Sequence, residues 1–282
     1  MRTVLITGTS AGFGLLAVVE LAKRGWRVVA SMRNLERRGA LDAALAESGA
    51  AQNVSVVQLD VTDAASIAKG VAETLEITGG FLDAIVNNAG VAAGGAFEDI
   101  PDAELRRVMD TNFFGVMSLT RALLPTFRKQ RSGRIVVISS EAAFNGHPCN
   151  SIYVASKWAV EGWAESLAFE VDQFGIDVIL LEPGPYVTDI WQASPRIAPS
   201  DSAYRRWSEN VFRAGDAHVA AKGGDPQVVA ERIADVLETR RPSFRNPVGR
   251  MARYTHFARG KIPSRWLRRG MEAYLGLRRV RL

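Results

Sequence analysis

Short apolar runs rich in β-branched residues alternate with longer helical patterns over the first 185 residues of this chain. Val4–Thr7, Arg27–Ser31, Val54–Leu59, Leu82–Asn87, Arg134–Ser139 and Asp177–Glu182 each read as a strand. They are close to continuously apolar, as strands covered on both faces are. Between them Gly14–Lys23 reads as a helix. A second begins near Asp63, with Ile67, Val71 and Leu75 four apart, and others lie within Asp102–Arg128 and Ile152–Gln173. Repeated β-α-β order predicts an α/β fold: a doubly wound parallel sheet of about seven strands with helices on both faces.

From Pro185 to Gly224 the pattern weakens. Pro185, Pro195 and Pro199 interrupt it, and Tyr186, Trp191, Tyr204, Trp207 and Phe212 stud it. An insertion of this length in a compact domain reads as a functional lid or a disordered segment, and a helical lid over residues 185–224 is the expectation adopted. Order then returns. Asp225 can cap a helix with Pro226 at its first position, running to about Thr239. A short strand near Ser243–Asn246 follows, with Pro247 suited to its end. These elements predict one domain over residues 1–250 and a C-terminal helical extension over 251–282. Within the extension, Ser264–Leu277 can form a helix with Leu267, Met271, Tyr274 and Leu275 on one face.

Charge sharpens that division. The net +5 is uneven: residues 1–239 carry 22 Lys+Arg and 29 Asp+Glu, and residues 240–282 carry 13 Lys+Arg and one acid, Glu272. A basic amphipathic helix can lie on an anionic membrane surface. It can equally pack on the acidic body or on a partner subunit, and packing is the expectation adopted; no nucleic-acid-binding module accompanies the charge. No apolar run is long enough for a transmembrane helix, and the opening residues lack the longer apolar core and cleavage site of a secretory signal, so none is expected. Cys149 is the single cysteine, consistent with a reducing, cytoplasmic setting. Three dispersed histidines and one cysteine form no metal-ligand cluster, so no metal is expected.

The first candidate chemistry sits where the first strand ends, in Thr7-Gly8-Thr9-Ser10-Ala11-Gly12-Phe13-Gly14. Glycines permit a tight turn and a close approach to backbone amides, and the helix N-terminus that follows favours an anion. In a Rossmann-type unit this is the pyrophosphate site of a dinucleotide. The second strand ends in Ala30-Ser31-Met32-Arg33-Asn34. An acid there would suit the ribose 2′-hydroxyl of NAD; Arg33 suits the 2′-phosphate of NADP, so NADP(H) is favoured over NAD(H).

The second candidate is Tyr153-Val154-Ala155-Ser156-Lys157, which places Tyr and Lys on one helix face. A phenol is a poor base at neutral pH unless a neighbouring ammonium stabilises its phenolate, so the pair predicts general acid–base chemistry with a lowered Tyr153 pKa. Ser139-Ser140 and Asn87-Asn88-Ala89-Gly90 end two other strands, at the sheet edge where such folds bind ligands. Asn112 lies in a helical region.

Together these residues resemble the classical short-chain dehydrogenase/reductase family. The matching positions are Thr7, Gly8, Gly12 and Gly14; Asp60 and Val61; Asn87 to Gly90; Asn112; Ser140; Tyr153 and Lys157; and Pro183-Gly184 followed by Thr188. The resemblance covers roughly residues 2–250 and keeps the family's order and spacing. It implies that Tyr153 is the general acid in reduction and the base in oxidation. Lys157 would bind the nicotinamide ribose, Ser140 the substrate oxygen, and Asn112 a water in a proton relay. Gly8, Ser10, Gly12, Phe13, Gly14, Asn88, Ala89 and Gly90 would shape the cofactor site, with Asp60 and Val61 at the adenine and Pro183, Gly184 and Thr188 at the nicotinamide. One departure is Ala11, where many relatives carry a basic residue for the 2′-phosphate. The resemblance also implies a homo-oligomer, a dimer or tetramer, often built through the helix that bears Tyr153.

On the substrate side, Phe144, His147, Tyr186, Trp191 and Trp207 are the candidate lining, with Cys149 and Asn150 near the entrance. The stretch from Tyr153 to Gly184 and the segment near Asp225–Gly249 look most like bacterial relatives of hydroxysteroid and retinol dehydrogenases, which implies a hydrophobic ketone or aldehyde and its alcohol. An epimerase, or a non-catalytic NADP-sensing regulator, would use the same fold. The intact Ser140–Tyr153–Lys157 set argues against a sensor.

Overall fold

The computed structural model describes residues 1–188 and 190–274. The chain opens with β1 (Thr3–Thr7), α1 (Gly12–Lys23), β2 (Arg27–Met32), α2 (Gly39–Ser48), β3 (Val54–Gln58) and α3 (Ala64–Thr78). It continues with β4 (Ala84–Asn87), β5 (Gly94–Gly95), α4 (Asp102–Met109), α5 (Gly115–Gln130), β6 (Gly133–Ile138), α6 (Ser151–Val171) and β7 (Ile176–Pro183). Then come β8 (Arg196–Ile197), α7 (Arg205–Lys222), α8 (Gln227–Glu238), β9 (Arg245–Val248), α9 (Arg250–Ala258) and α10 (Ser264–Tyr274).

Seven strands form one sheet in the order β3-β2-β1-β4-β6-β7-β9, with all neighbours parallel. The expected Rossmann-type sheet is therefore present. Two cores sandwich it. On one face Leu21, Leu41, Val229 and Ile233, drawn from α1, α2 and α8, pack with Val28 of the sheet and with Trp26 before it. On the other, Ile67, Leu119, Leu123, Phe127 and Val160 come from α3, α5 and α6. Strands covered on both sides need apolar residues at successive positions, which is why their runs were legible.

The caps also follow the sequence. Asp63 Oδ1 accepts hydrogen bonds from the Ala65 and Ser66 amides at 2.7 and 3.0 Å, and Asp225 Oδ1 accepts from Gln227 N at 2.9 Å. Pro247 lies inside β9 rather than at its end, paired with Glu182. β9 is the edge of the sheet, where a missing N–H costs no ladder bond. The helix expected within Asp102–Arg128 is divided by a π-helical turn at Asp110–Phe114. The helix expected over Ser264–Leu277 is seen over Ser264–Tyr274; its remainder, with Leu275, lies outside the described residues. Among the described residues no helix is long and apolar enough to cross a membrane.

Residues 185–224 form a loop closed at its neck. Gly224 N donates to Pro185 O at 3.0 Å and Val187 N to Gly224 O at 3.2 Å. A second tie joins β8 to β5 in parallel, where Gly94 N donates to Pro195 O at 2.9 Å. α7 spans most of the loop's second half, so the expected helical segment is present.

Candidate active site

The chain runs from β1 to β2 and β3, then returns to place β4 on the other side of β1. This reversal opens a crevice at the carboxyl ends of β1 and β4, the place where open α/β sheets hold ligands. A cleft of about 1600 Å³ runs from there beneath the 185–224 loop.

The glycine turn forms one end. Gly8 has φ +70° and Gly12 φ +57°, both in the left-handed region that favours glycine. A Cβ on Gly8 would stand 2.8 Å from Ala89 Cα, and one on Gly14 would stand 2.3 Å from Gly8 O. Asn88 fastens the turn: its Nδ2 donates to Thr7 O at 2.8 Å and to Gly8 O at 3.0 Å. Thr7 Oγ1 answers by accepting from the Asn88 and Ala89 amides, both at 3.0 Å. Around Gly12, by contrast, a Cβ would meet nothing within 4 Å. The N-terminus of α1 lacks a side-chain cap and carries no acid in its first turn. Unsatisfied amides beside an open glycine form a cradle for a phosphate. The residues present therefore fit a dinucleotide. Gly8, Ser10, Gly12 and Phe13 line the cleft here; Gly14 does not, acting instead through its close approach to Gly8 and Asn88.

Beyond the turn the cleft is lined by Arg33, Asp60, Val61, Asn88, Ala89 and Gly90. Arg33 is 74% exposed and its Nε lies 3.9 Å from Asp60 Oδ2. Asn34 and Arg37 join them, two residues the sequence reading missed. Arg37 follows Arg33 by four positions in the short helical turn Leu35–Arg38, whose start Asn34 caps by accepting from Glu36 N at 2.9 Å. That spacing was the available signal.

Ser140, Tyr153 and Lys157 meet at the carboxyl edge of β6 and the first turns of α6, all lining the cleft. Ser140 hydrogen-bonds the Tyr153 hydroxyl, which lowers the phenol's pKa, but burial outweighs this and pushes it up to about 12, with the Glu141 charge adding to the rise. The expected lowering by Lys157 is not met. Burial brings the ammonium down to about 8, partly opposed by Glu161. Lys157 Nζ donates to Ile138 O at 2.8 Å and lies 5.7 Å from the Tyr153 ring centroid. Behind it Glu161 pairs with Arg245, which also reaches toward Glu182 at 3.5 Å. Burial and the Glu161 charge push Glu182 up to about 8.

Asn112 sits in the π-helical turn and does not line the cleft. Its Oδ1 accepts from Val91 N at 2.8 Å, and its Nδ2 donates to Val91 O at 2.8 Å and to Ser156 Oγ at 3.0 Å. Both ends of the amide are engaged with protein, so the side chain clamps the segment after Gly90 to α6 rather than presenting itself to a water. Glu141 is a further residue the sequence reading passed over, although it directly follows Ser140. Burial raises its carboxyl to about 7, and its Oε2 is buried without a hydrogen-bond partner.

Pro183, Gly184 and Thr188 line the next part of the wall, with Tyr186, Trp191 and His147. Trp191 stands edge-on to Tyr153 with ring centroids 5.2 Å apart, and Tyr186 edge-on to Phe13 at 5.7 Å. Burial lowers His147 to about 4, so it is a neutral hydrogen-bonding group at pH 7. Cys149 and Asn150 also line the cleft, and α7 contributes Val211, Phe212 and His218. Two expected lining residues do not belong. Phe144 turns toward α9, with its ring 5.0 Å from that of His256. Trp207 packs beside the buried pair Cys149 and Val211, outside the cleft lining. In both, the demand for apolar packing behind the wall overrides the position beside it. Among the described residues no group of three or more His, Cys, Asp or Glu could hold a metal ion.

The arrangement matches known proteins. The family model described as short chain dehydrogenase matches residues 2–197. Retinol dehydrogenase 8 of Bos taurus is 40% identical over 267 residues, covering 90% of this chain and 83% of the relative. The oxidoreductase YusZ of Bacillus subtilis is 37% identical over 277 residues, 94% of this chain and 95% of the relative. A short-chain dehydrogenase structure from Streptomyces avermitilis, 31% identical, superposes with a TM-score of 0.79 over 99% of this chain and 97% of that one. A family structure from Burkholderia phymatum in complex with NAD is 26% identical, TM-score 0.74, covering 86% and 88%. A metagenomic one in complex with NADP is 25% identical, TM-score 0.69, covering 88% and 96%.

Proposed function

This chain belongs to the short-chain dehydrogenase family and is an oxidoreductase acting on CH–OH groups, and from that premise we propose that it interconverts a hydrophobic ketone or aldehyde and its alcohol, with NADP(H) favoured over NAD(H). The carrying observation is the convergence of Ser140, Tyr153 and Lys157 on one wall of a cleft whose other end is the open glycine turn.

A bound nicotinamide supplies or accepts the hydride. The chain's own residues manage the oxygen and its proton. Ser140 Oγ hydrogen-bonds the substrate oxygen. Tyr153 is held as the phenol by burial, so in reduction it donates its proton to that oxygen. The resulting phenolate recovers a proton from solvent, and in oxidation the phenolate takes the proton from the alcohol. Lys157, fixed by Ile138 O, holds the ribose and steadies the phenolate when its ammonium is charged. Asn112 positions α6 through Ser156. Gly8, Ser10, Gly12 and Phe13 receive the pyrophosphate, Asp60 and Val61 flank the adenine, and Asn88 to Gly90 with Pro183, Gly184 and Thr188 line the nicotinamide end.

Arg33, exposed at the end of β2 with no acid among residues 30–34, supports NADP; Arg37 adds a second cation beside it. Tyr186, Ile190, Trp191, Val211 and Phe212 support an apolar substrate, as does the name of the retinol dehydrogenase relative. Residues 1–250 act as the catalytic domain and 251–282 as its extension. We place the protein in the cytoplasm, as a homo-oligomer built through α6, where Phe169 stands exposed.

The test is NADPH consumption across a panel of steroids, retinoids, aryl ketones and acetoacetyl thioesters, with Tyr153→Phe beside the native enzyme. Tyr153→Phe should lose turnover by about a hundredfold or more while still binding NADPH. Turnover at the native rate in that variant would overturn the assignment.

A further inference from the structure

The last described helices turn their bulky apolar residues outward. α9 sets its small residues, Ala252 and Ala258, into the body, where both are buried. Met251 is 37% exposed, Tyr254 61% and Phe257 67%, and α10 adds Trp266 at 53%. A helix that stabilises a domain by packing buries its large apolar side chains. Packing on the body, the expectation drawn from the sequence, accounts for the half-buried Leu267 and Met271 but not for this face.

Cations interleave with the exposed rings. Residues 250–274 carry seven Lys or Arg and one acid, Glu272. Lys261 Nζ lies 3.5 Å from the Phe257 ring centroid, and the Arg269 guanidinium 5.4 Å from that of Trp266. The charges and the apolar rings are thus one surface. An acidic protein would answer the charge and leave the rings in water. The headgroup layer of an anionic bilayer answers both: phosphates for the cations, and the acyl boundary for indole, phenol and phenyl rings. Met271 of α10 lines the active-site cleft, so the helix that carries Trp266 borders its mouth.

We infer that α9 and α10 form an interfacial face that seats the protein on anionic lipid surfaces and sets the mouth of the cleft against the bilayer. An apolar substrate then enters from the acyl phase. The seating stands on the surface alone; the delivery rests on the proposed function.

The full-length protein is sedimented with vesicles of phosphatidylcholine plus phosphatidylglycerol, and with phosphatidylcholine alone. It should sediment with the anionic vesicles and be released by salt. Tyr254→Ser, Phe257→Ser and Trp266→Ser combined should cut the vesicle-bound fraction by roughly tenfold or more, with turnover of a small water-soluble carbonyl unchanged. Lys261→Glu with Arg265→Glu alters two exposed residues and provides a second arm, expected to abolish the phosphatidylglycerol dependence. No sedimentation with anionic vesicles at low salt would overturn the inference, as would variants that bind like the native protein. A triple variant that lowers the oligomeric mass, in a protein that ignores vesicles, would assign the face to a second copy instead. A protein that binds vesicles but reduces no carbonyl would sink the functional reading and leave the seating intact.

Discussion

Replacing Gly14 by alanine sets the β1–α1 turn against its own clamp. The new Cβ would lie 2.3 Å from Gly8 O and 2.4 Å from Asn88 Nδ2, whereas unstrained contacts begin at about 3.5 Å. About 1 Å of overlap must therefore be relieved. Neither neighbour is the free end of a long side chain. Gly8 O is backbone, and Asn88 Nδ2 is held by its bonds to Thr7 O and Gly8 O. Moving the amide loses two hydrogen bonds at about 0.5–1.5 kcal/mol each, and overpacking adds about 1–3 kcal/mol. A total near 4 kcal/mol corresponds to a fall in Tm of roughly 8–16 °C. Gly12→Ala is the contrast. Its Cβ meets nothing, so the folded protein bears only the left-handed penalty of about 1–2 kcal/mol. That methyl occupies the open side of the phosphate cradle, so NADPH affinity should fall by at least about tenfold, or 1.4 kcal/mol. Thermal unfolding without cofactor and a fluorescence titration with NADPH separate the two effects. Gly14→Ala melting like the native protein, or Gly12→Ala binding NADPH like it, would refute this account of the turn.

Two further outcomes follow from the site. Arg33→Ala should raise KM for NADPH and leave KM for NADH nearly unchanged, narrowing the preference; a native enzyme that uses both equally well would remove the basis for it. Glu141 is raised by burial from 4.5 to about 7, so the folded protein binds its proton more tightly than the unfolded chain does. Its contribution to stability is full below pH 4.5 and is lost as pH rises through about 7. Glu141→Gln should abolish that loss, on the order of 3 kcal/mol between the two limits. Tm-against-pH curves that fall in parallel for both proteins would show that Glu141 is not the group concerned.

The sheet was legible because its central strands β1, β4, β6 and β7 are buried on both faces, and that demand prints a continuous apolar run. α2 left less trace, with only Leu41 and Leu45 buried. α9 escaped for the opposite reason, since its small residues face inward and its large ones outward. At the site, the glycine turn and the Ser140–Tyr153–Lys157 set were readable, because backbone conformation and proton chemistry restrict the residue types allowed. The balance of forces on Tyr153 was not. Burial exceeds the effect of the Ser140 hydrogen bond there, and burial is set by Trp191 and other residues distant in sequence. Phe144 and Trp207 show the same limit, since an aromatic residue declares that it will be buried but not on which side of a wall.

The neck at Pro185 and Gly224 has a consequence for how this fold can change its chemistry. Because the two ends of the loop are bonded to each other, the entropy of closing it is borne locally, and each doubling of its length adds only about 0.6 kcal/mol. β7 before the neck and α8 after it keep their places whatever the loop contains. The part of the loop beyond Trp191 is therefore an exchangeable cassette: descendants can lengthen, shorten or rewrite it, and acquire new substrates, while Thr188 and Trp191 near the neck stay with the hydride and proton machinery.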